Sequence, residues 1–170
     1  MSPKLKSSPL PVGSKAPDFT LPDQDGNDVR LYDALENGPV VVYFYPKAFT
    51  DVCTAEACAF RDNHSLFKDA GADVIGISTD SIETQKSFHD KFHLNYPVLS
   101  DPKAKVHGMF GVRNGGGFGL GFALNDRLTF VLDSDGVVQD VFGGLLVARP
   151  HIEKSLGIIQ SLIGDKSPST

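Results

Sequence analysis

Two cysteines offer the most chemistry in this chain. Cys53 and Cys58 are its only cysteines, and four residues separate them. A bridge between them would close a loop too small to restrict the denatured chain appreciably, so stapling is a poor reason for the pair. Two thiols cannot close a structural zinc site without histidines at suitable spacing. Nor can they frame a small secreted domain. Reactivity is the better reason for keeping them. The competing reading is a buried, inert free cysteine beside an incidental one.

The stretch Tyr45-Pro46-Lys47-Ala48-Phe49-Thr50-Asp51-Val52-Cys53-Thr54-Ala55-Glu56-Ala57-Cys58 runs out of an apolar β-branched segment and into a helical pattern. In open α/β sheets, sites form at that strand-to-helix edge. Cys53 falls in the first turn of the predicted helix, beside free backbone N–H groups and the positive end of the dipole. Both favour a thiolate, so its pKa is expected to be lowered. Cys58 lies deeper on a mostly apolar helix and lacks that help. Residues five apart on an α-helix differ by about 140° in direction and about 7.5 Å in rise. Their Cα atoms are then about 8–9 Å apart, beyond the reach of a disulfide. If Cys53 and Cys58 bond to each other, the first turns of the helix must unwind, an order–disorder switch.

The elements that must position these residues follow from pattern. Phe19-Thr20-Leu21 reads as a short strand, with Asp25-Gly26 as a hairpin turn. Val40 to Tyr45 is β-branched and aromatic throughout, the signature of a strand buried on both faces, and Pro46 ends it. From Val52 to Ala70 apolar residues return at helical spacing, with Ala55, Cys58, Ala59, Leu66 and Phe67 as the expected buried stripe and Gly71 as the stop. A strand over Asp73 to Thr79 follows, then a helix capped by Ser81 and running to Phe92. Tyr96 to Leu99 is a short apolar stretch, and Asp101-Pro102 reads as a turn or a helix start, leading a short helix to about His107. Gly111 to Ala123 reads as a loop of glycine and phenylalanine. Leu128–Leu132 and Val137–Phe142 flank Asp133-Ser134-Asp135-Gly136 as a β-hairpin. Pro150 to Ile163 closes with a helical repeat at Ile152, Leu156, Ile159 and Ile163. Strand–helix–strand units require parallel neighbours and the hairpin adds antiparallel ones. The expected architecture is α/β: a mixed central sheet with helices on both faces, in the element order of the thioredoxin fold with extra N-terminal strands.

Length and composition bound the rest. A chain of 170 residues and 18.3 kDa fits one domain. It can bury most of its apolar surface without a disulfide framework or structural metal. Residues 1–12 are expected to be a flexible N-terminal segment, 13–164 the domain and 165–170 a loose polar tail. The first residues carry no apolar core of a secretory signal. The net charge of −5 argues against nucleic acid as the main partner. The longest apolar run is far too short to span a bilayer.

Pro46-x-x-x-Thr50-x-x-Cys53 resembles the peroxiredoxin active-site pattern. Phe44-Tyr45-Pro46-Lys47 before it and Cys53-Thr54-x-Glu56-Ala57-Cys58 after it resemble the peroxiredoxin Q or bacterioferritin-comigratory-protein branch. The likeness extends from Gly13-x-x-Ala16-Pro17-Asp18-Phe19 to the last helix, and Arg127-x-Thr129-Phe130-Val131-Leu132-Asp133 is similar to the family's distal arginine strand. Asp51-Val52 stands where the branch usually has Pro-Gly. The resemblance implies a thiol-dependent peroxidase that reduces hydrogen peroxide and alkyl hydroperoxides. Cys53 would become a sulfenic acid, Cys58 would resolve it as an intramolecular disulfide, and thioredoxin or a similar dithiol would reduce that bond. It also implies no cofactor or metal, a monomer, and a cytoplasmic setting, with the plastid as the alternative.

These roles suit the residue types. The nucleophile must be a thiolate. Charge builds on the departing oxygen, so donors must await it. Thr50 can donate to a peroxide oxygen; its plainer role is a helix N-cap. Arg127 can offer guanidinium donors; its plainer role is a solvent-facing strand residue. Pro46 would shield the thiolate, and Glu56, three residues after Cys53 on one helix face, could hold Arg127.

Other signals are weaker. Gly115-Gly116-Gly117-Phe118-Gly119 lacks the Lys-Ser/Thr ending of a phosphate loop. His89 and His93 have helical metal-ligand spacing but no evident third ligand. Phe118 and Phe122 read as packing residues or a partly exposed loop patch, with lining of a peroxide pocket as the lesser alternative. A protein disulfide oxidoreductase would carry Cys-x-x-Cys, which is absent. A copper-binding chaperone of the same fold would have no use for Thr50 and Arg127. A peroxide sensor passing oxidation to a partner would share the same thiolate chemistry.

Overall fold

Val40–Phe44 (β3) is buried at every position, so both faces of this strand must be covered. A computed structural model, describing residues 9–112, 127–143 and 148–166, shows what covers them. Thr20–Pro22 (β1) pairs antiparallel with Asp28–Arg30 (β2), giving the expected N-terminal hairpin. A short helix not anticipated from the sequence, Leu31–Leu35 (α1), follows directly and buries Leu31 and Leu35. After β3 come Asp51–Asp62 (α2), His64–Asp69 (α3), Asp73–Ser78 (β4), Ile82–Lys91 (α4), Val98–Ser100 (β5) and Lys105–Phe110 (α5). Leu128–Leu132 (β6), Val138–Gly143 (β7) and Ala148–Lys166 (α6) complete the described chain.

The main sheet has five strands in the order β5-β4-β3-β6-β7. β3, β4 and β5 run parallel, whereas β6 is antiparallel to β3 and β7 to β6. The expected mixed sheet with helices on both faces therefore forms. Val40, Val42 and Phe44 point into one core layer with α1, α5, Leu10 and Phe19. Val41, Tyr43 and Tyr45 point into the other, with residues of α2, α3, α4 and α6. The alternation follows from the two-residue period of a strand. Leu10, ahead of Gly13, is buried and its amide donates to the Phe110 carbonyl at 3.1 Å.

Two sequence expectations need correction. The helical pattern from Val52 to Ala70 is not continuous. It breaks at Asn63, whose side-chain amide donates to the Ala59 carbonyl at 2.8 Å, a local bond that competes with helix continuation. Asp101-Pro102 takes the turn alternative rather than the helix start, and the short helix begins at Lys105, after Ala104 in a left-handed conformation at φ 54°, and runs past His107 to Phe110. Asp101 instead accepts from the Lys105 and His107 amides, capping the helix from a distance. The glycine-phenylalanine loop proposed over 111–123 lies outside the described residues from 113 onward, as do the phosphate-loop glycines, Phe118 and Phe122.

Candidate active site

β3 delivers the site from one side and β6 from the other. Register pairs Phe44 with Leu128, so the residue after β3, Tyr45, and the residue before β6, Arg127, lie beside each other at the carboxyl end of the central strand. The chain then turns through Pro46, which is half-buried, and enters α2 at Thr50.

α2 buries a different stripe from the expected one. Cys53, Glu56, Ala57 and Phe60 are buried, whereas Ala55 is exposed and Cys58 and Ala59 are only half-buried. Leu66 of α3 is exposed too. The buried set has i, i+3, i+4, i+7 spacing, the core-facing pattern of an amphipathic helix. Hydrophobicity alone missed it because one member is a glutamate. Burying a carboxylate requires a partner, and Arg127 Nη1 stands 3.4 Å from Glu56 Oε2. Both side chains are almost wholly enclosed. Burial pushes the Glu56 carboxyl up to about 7, against the opposing pull of the Arg127 guanidinium. The solvent-facing alternative for Arg127 is therefore excluded.

Cys53 is the third residue of α2, 1% exposed, and packs in the same core layer as Tyr45, Ala48 and Ala57. Residues three apart on a helix are neighbours, so Cys53 and Glu56 share one face. Arg127 therefore meets, through Glu56, the helix face that carries Cys53. Thr50 occupies the N-cap position with extended backbone angles, and its carbonyl accepts the first helical bond, from Thr54, at 2.8 Å. Its hydroxyl caps no amide; it donates to the Lys47 carbonyl at 2.9 Å from an exposed position. Cys58 sits on the flank of the same helix, and both thiols are free. Both cysteines lie inside one continuous helix, so a bond between them requires its first turns to unwind.

Residues outside the expected set shape the surroundings. Tyr45 donates to Gln85 Oε1 at 2.5 Å, and Gln85 donates to the Leu99 carbonyl at 2.7 Å. Tyr96 donates to the Ala57 carbonyl at 2.9 Å and shares a 2.7 Å bond with Tyr43. Burial drives the Tyr43, Tyr45 and Tyr96 hydroxyls far up, so all three stay protonated. Asp80, at the end of β4, accepts the Ala48 amide at 2.7 Å. Its place just beyond a parallel strand's carboxyl end was the available sequence signal. Among the described residues, no group of three or more His, Cys, Asp or Glu could hold a metal ion.

The AhpC/TSA family model matches residues 12–141. Chloroplastic peroxiredoxin Q of Sedum lineare is 46% identical over 150 residues, covering 88% of this chain and 78% of its own. Peroxiredoxin Bcp of Escherichia coli (strain K12) is 43% identical over 145 residues, covering 85% of this chain and 92% of its own. Among solved structures, the peroxidoxin BcpB of Mycobacterium tuberculosis superposes with a TM-score of 0.80 at 38% identity, over 89% of this chain and 97% of that one. The chain therefore belongs to the AhpC/TSA family, as a thioredoxin-fold peroxiredoxin similar to peroxiredoxin Q and Bcp, and is a thiol-dependent peroxidase.

Proposed function

We propose that Cys53 is the thiol that attacks peroxide and Cys58 the thiol that resolves it. The observation carrying this reading is the burial of Cys53 on one face of α2 with Glu56, which Arg127 meets at 3.4 Å. The Cys53 thiolate attacks one oxygen of hydrogen peroxide or an alkyl hydroperoxide. The O–O bond breaks, sulfur keeps that oxygen as a sulfenic acid, and the other oxygen leaves as water or alcohol once protonated. Arg127 supplies donors where that negative charge develops. Thr50 contributes a hydroxyl at the mouth of the helix, and Pro46 shields the thiolate. Glu56 holds Arg127 in place.

The start of α2 then unwinds and the Cys58 thiol attacks the sulfenic sulfur, forming the disulfide and releasing water. Family membership implies a peroxide substrate and a thioredoxin-type reductant. The finer reading is thioredoxin itself, acting on a monomer. The working compartment is one that keeps dithiols reduced: the cytoplasm, with the plastid as the alternative that the chloroplastic names of the plant relatives support.

Stopped-flow peroxide reduction with thioredoxin tests the assignment. Cys53→Ser abolishes turnover, and Cys58→Ser retains one oxidation event but is no longer recycled. Full activity in Cys53→Ser, or full thioredoxin recycling in Cys58→Ser, overturns the corresponding role.

A further inference from the structure

The loop between β3 and α2, residues 46–50, is tied to the scaffold at two points. On one side the Ala48 amide donates to Asp80 Oδ2 at 2.7 Å. Asp80 is itself fixed across the ends of β4 and β5. Its carboxylate accepts from Ser78 Oγ at 2.7 Å, its amide donates to the same oxygen at 3.1 Å, and its carbonyl accepts from Ser100 Oγ at 2.6 Å. On the other side Phe49 rests on α4, its ring centroid 5.3 Å from Phe88 and 6.2 Å from Phe92. Lys91 Nζ lies 5.8 Å from the same ring.

Between these ties the backbone is in an unfavourable state. Phe49 has φ 68°, a left-handed conformation that bulky L residues rarely adopt. Such a conformation persists only where its surroundings over-determine it. Phe49 as a whole is 43% exposed, so the aromatic tie is partial and can be released without opening the core. Phe49 directly precedes the N-cap of α2, so freeing it frees the start of the helix.

We propose that Asp80 and Phe49 are positioning residues that set how readily the start of α2 unwinds, and hence how fast Cys58 reaches oxidised Cys53. This rests on the cysteine roles assigned above. The step they gate needs no outside oxidant. The Cys58 sulfur attacks the Cys53 sulfenic sulfur, the S–O bond breaks, the S–S bond forms, and hydroxide leaves with the Cys58 proton as water. With both ties made, Cys53 stays buried and Cys58 stays out of reach. With either broken, the left-handed residue relaxes and the first turn opens. The competing fate of the sulfenic acid is a second oxidation to sulfinic acid, which gains ground when opening is slow.

Rapid mixing of Asp80→Ala, Asp80→Asn and Phe49→Ala with hydrogen peroxide tests this, with the peroxide-dependent phase and the later disulfide phase recorded separately and masses taken after quenching. Disulfide formation should be about three- to tenfold faster in Asp80→Ala and Phe49→Ala, on the scale of one lost charge-assisted hydrogen bond or ring contact. Asp80→Asn, which keeps an acceptor for the Ala48 amide, should fall between Asp80→Ala and the parent. The peroxide-dependent phase should be no faster than in the parent, and more peroxide should be needed to reach the sulfinic mass. General damage to the fold would slow both phases, so acceleration of one alone distinguishes the two. An unchanged or slower disulfide phase in Phe49→Ala, an exposed position that leaves the core intact, overturns the proposal even if Asp80→Ala does not fold. Absence of a Cys53–Cys58 bond in the oxidised parent protein would refute the cysteine assignment itself, and this inference with it.

Discussion

Arg127 and Glu56, 71 positions apart in sequence, meet in the interior with Nη1 3.4 Å from Oε2. Neither could be there alone. Antiparallel pairing of β6 with β3 brings Arg127 to the end of the central strand. The helical stripe of α2 turns Glu56 inward with Cys53. A buried charge needs a partner, and a buried pair is worth less than its attraction suggests because both ions lose water. By that reckoning the pair is a weak source of stability, which agrees with the role proposed for Arg127 above.

The first consequence is a pH dependence. Burial raises the Glu56 carboxyl to about 7, whereas in the unfolded chain it titrates in the ordinary glutamate range. Between those limits the folded protein binds more protons than the unfolded one, so stability falls as pH rises. Relative to Glu56→Gln, which cannot titrate, the parent protein should lose on the order of 2–3 kcal/mol between about pH 5 and pH 8. Urea unfolding of both proteins across that range measures the difference; a constant gap between them would contradict it.

Arg127 should matter more to rate than to binding. Removing one donor aimed at developing negative charge typically costs about 100- to 1000-fold in rate. Arg127→Gln is expected to slow Cys53 oxidation by about that factor while leaving thioredoxin reduction of the disulfide close to normal. Arg127→Lys keeps the charge but loses the planar fork, so it should recover only part of the rate. Single-turnover oxidation and reduction, measured separately, decide the point. Equal losses in both half-reactions would place Arg127 outside the peroxide step.

Much of this was legible in the residues. β3 announced itself by an unbroken β-branched and aromatic run, and Asp133 to Gly136 by turn chemistry that the structure reproduces, with Asp133 Oδ1 accepting the Asp135 and Val137 amides. Within the candidate site, the cysteines and Thr50 are the members that local sequence alone signals. The site was least legible where tertiary contact decides. The buried face of α2 includes Glu56, which an apolar stripe cannot reveal, because Arg127 comes from a strand distant in sequence. The ties on Ala48 and Phe49 depend on β4 and α4, so no pattern within residues 46–50 signals them.

Gly76 tests how firmly α2 is seated. A Cβ built there would lie 2.9 Å from Tyr43 Cζ. The Tyr43 ring cannot give way easily, since it stacks on Phe60 at 4.7 Å and on Tyr45 at 5.4 Å, and its hydroxyl bonds Tyr96 at 2.7 Å. Tyr96 in turn donates to the Ala57 carbonyl of α2. Gly76→Ala should therefore destabilise the protein by about 1–3 kcal/mol, the usual cost of overpacking. Thermal or urea unfolding gives the number, and a change below about 0.5 kcal/mol would mean that the ring has room to move.

The opposite face of the sheet carries another buried polar pair. His107 Nδ1 stands 2.7 Å from Asp101 Oδ2, and both residues are almost fully enclosed behind Phe44, whose ring lies 4.9 Å from the imidazole. Burial by itself would raise the Asp101 carboxyl. Hydrogen bonds from the His107 side chain and amide outweigh it and hold the group below its ordinary value. A carboxyl depressed in this way adds stability above its unfolded pKa and loses it as pH falls through the folded one. Acid unfolding of the parent should therefore include a component below about pH 4 that Asp101→Asn lacks. At neutral pH that variant should be about 1–3 kcal/mol less stable, because asparagine offers one acceptor oxygen to the three N–H groups the carboxylate serves. The gap should close on acidification, as the parent carboxylate is lost. Since α5 begins at these amides and packs Phe110 5.2 Å from Phe44, loosening should appear first as faster amide exchange in α5 and only later at β3. Uniform exchange across both elements would show instead that the sheet and α5 open as one unit.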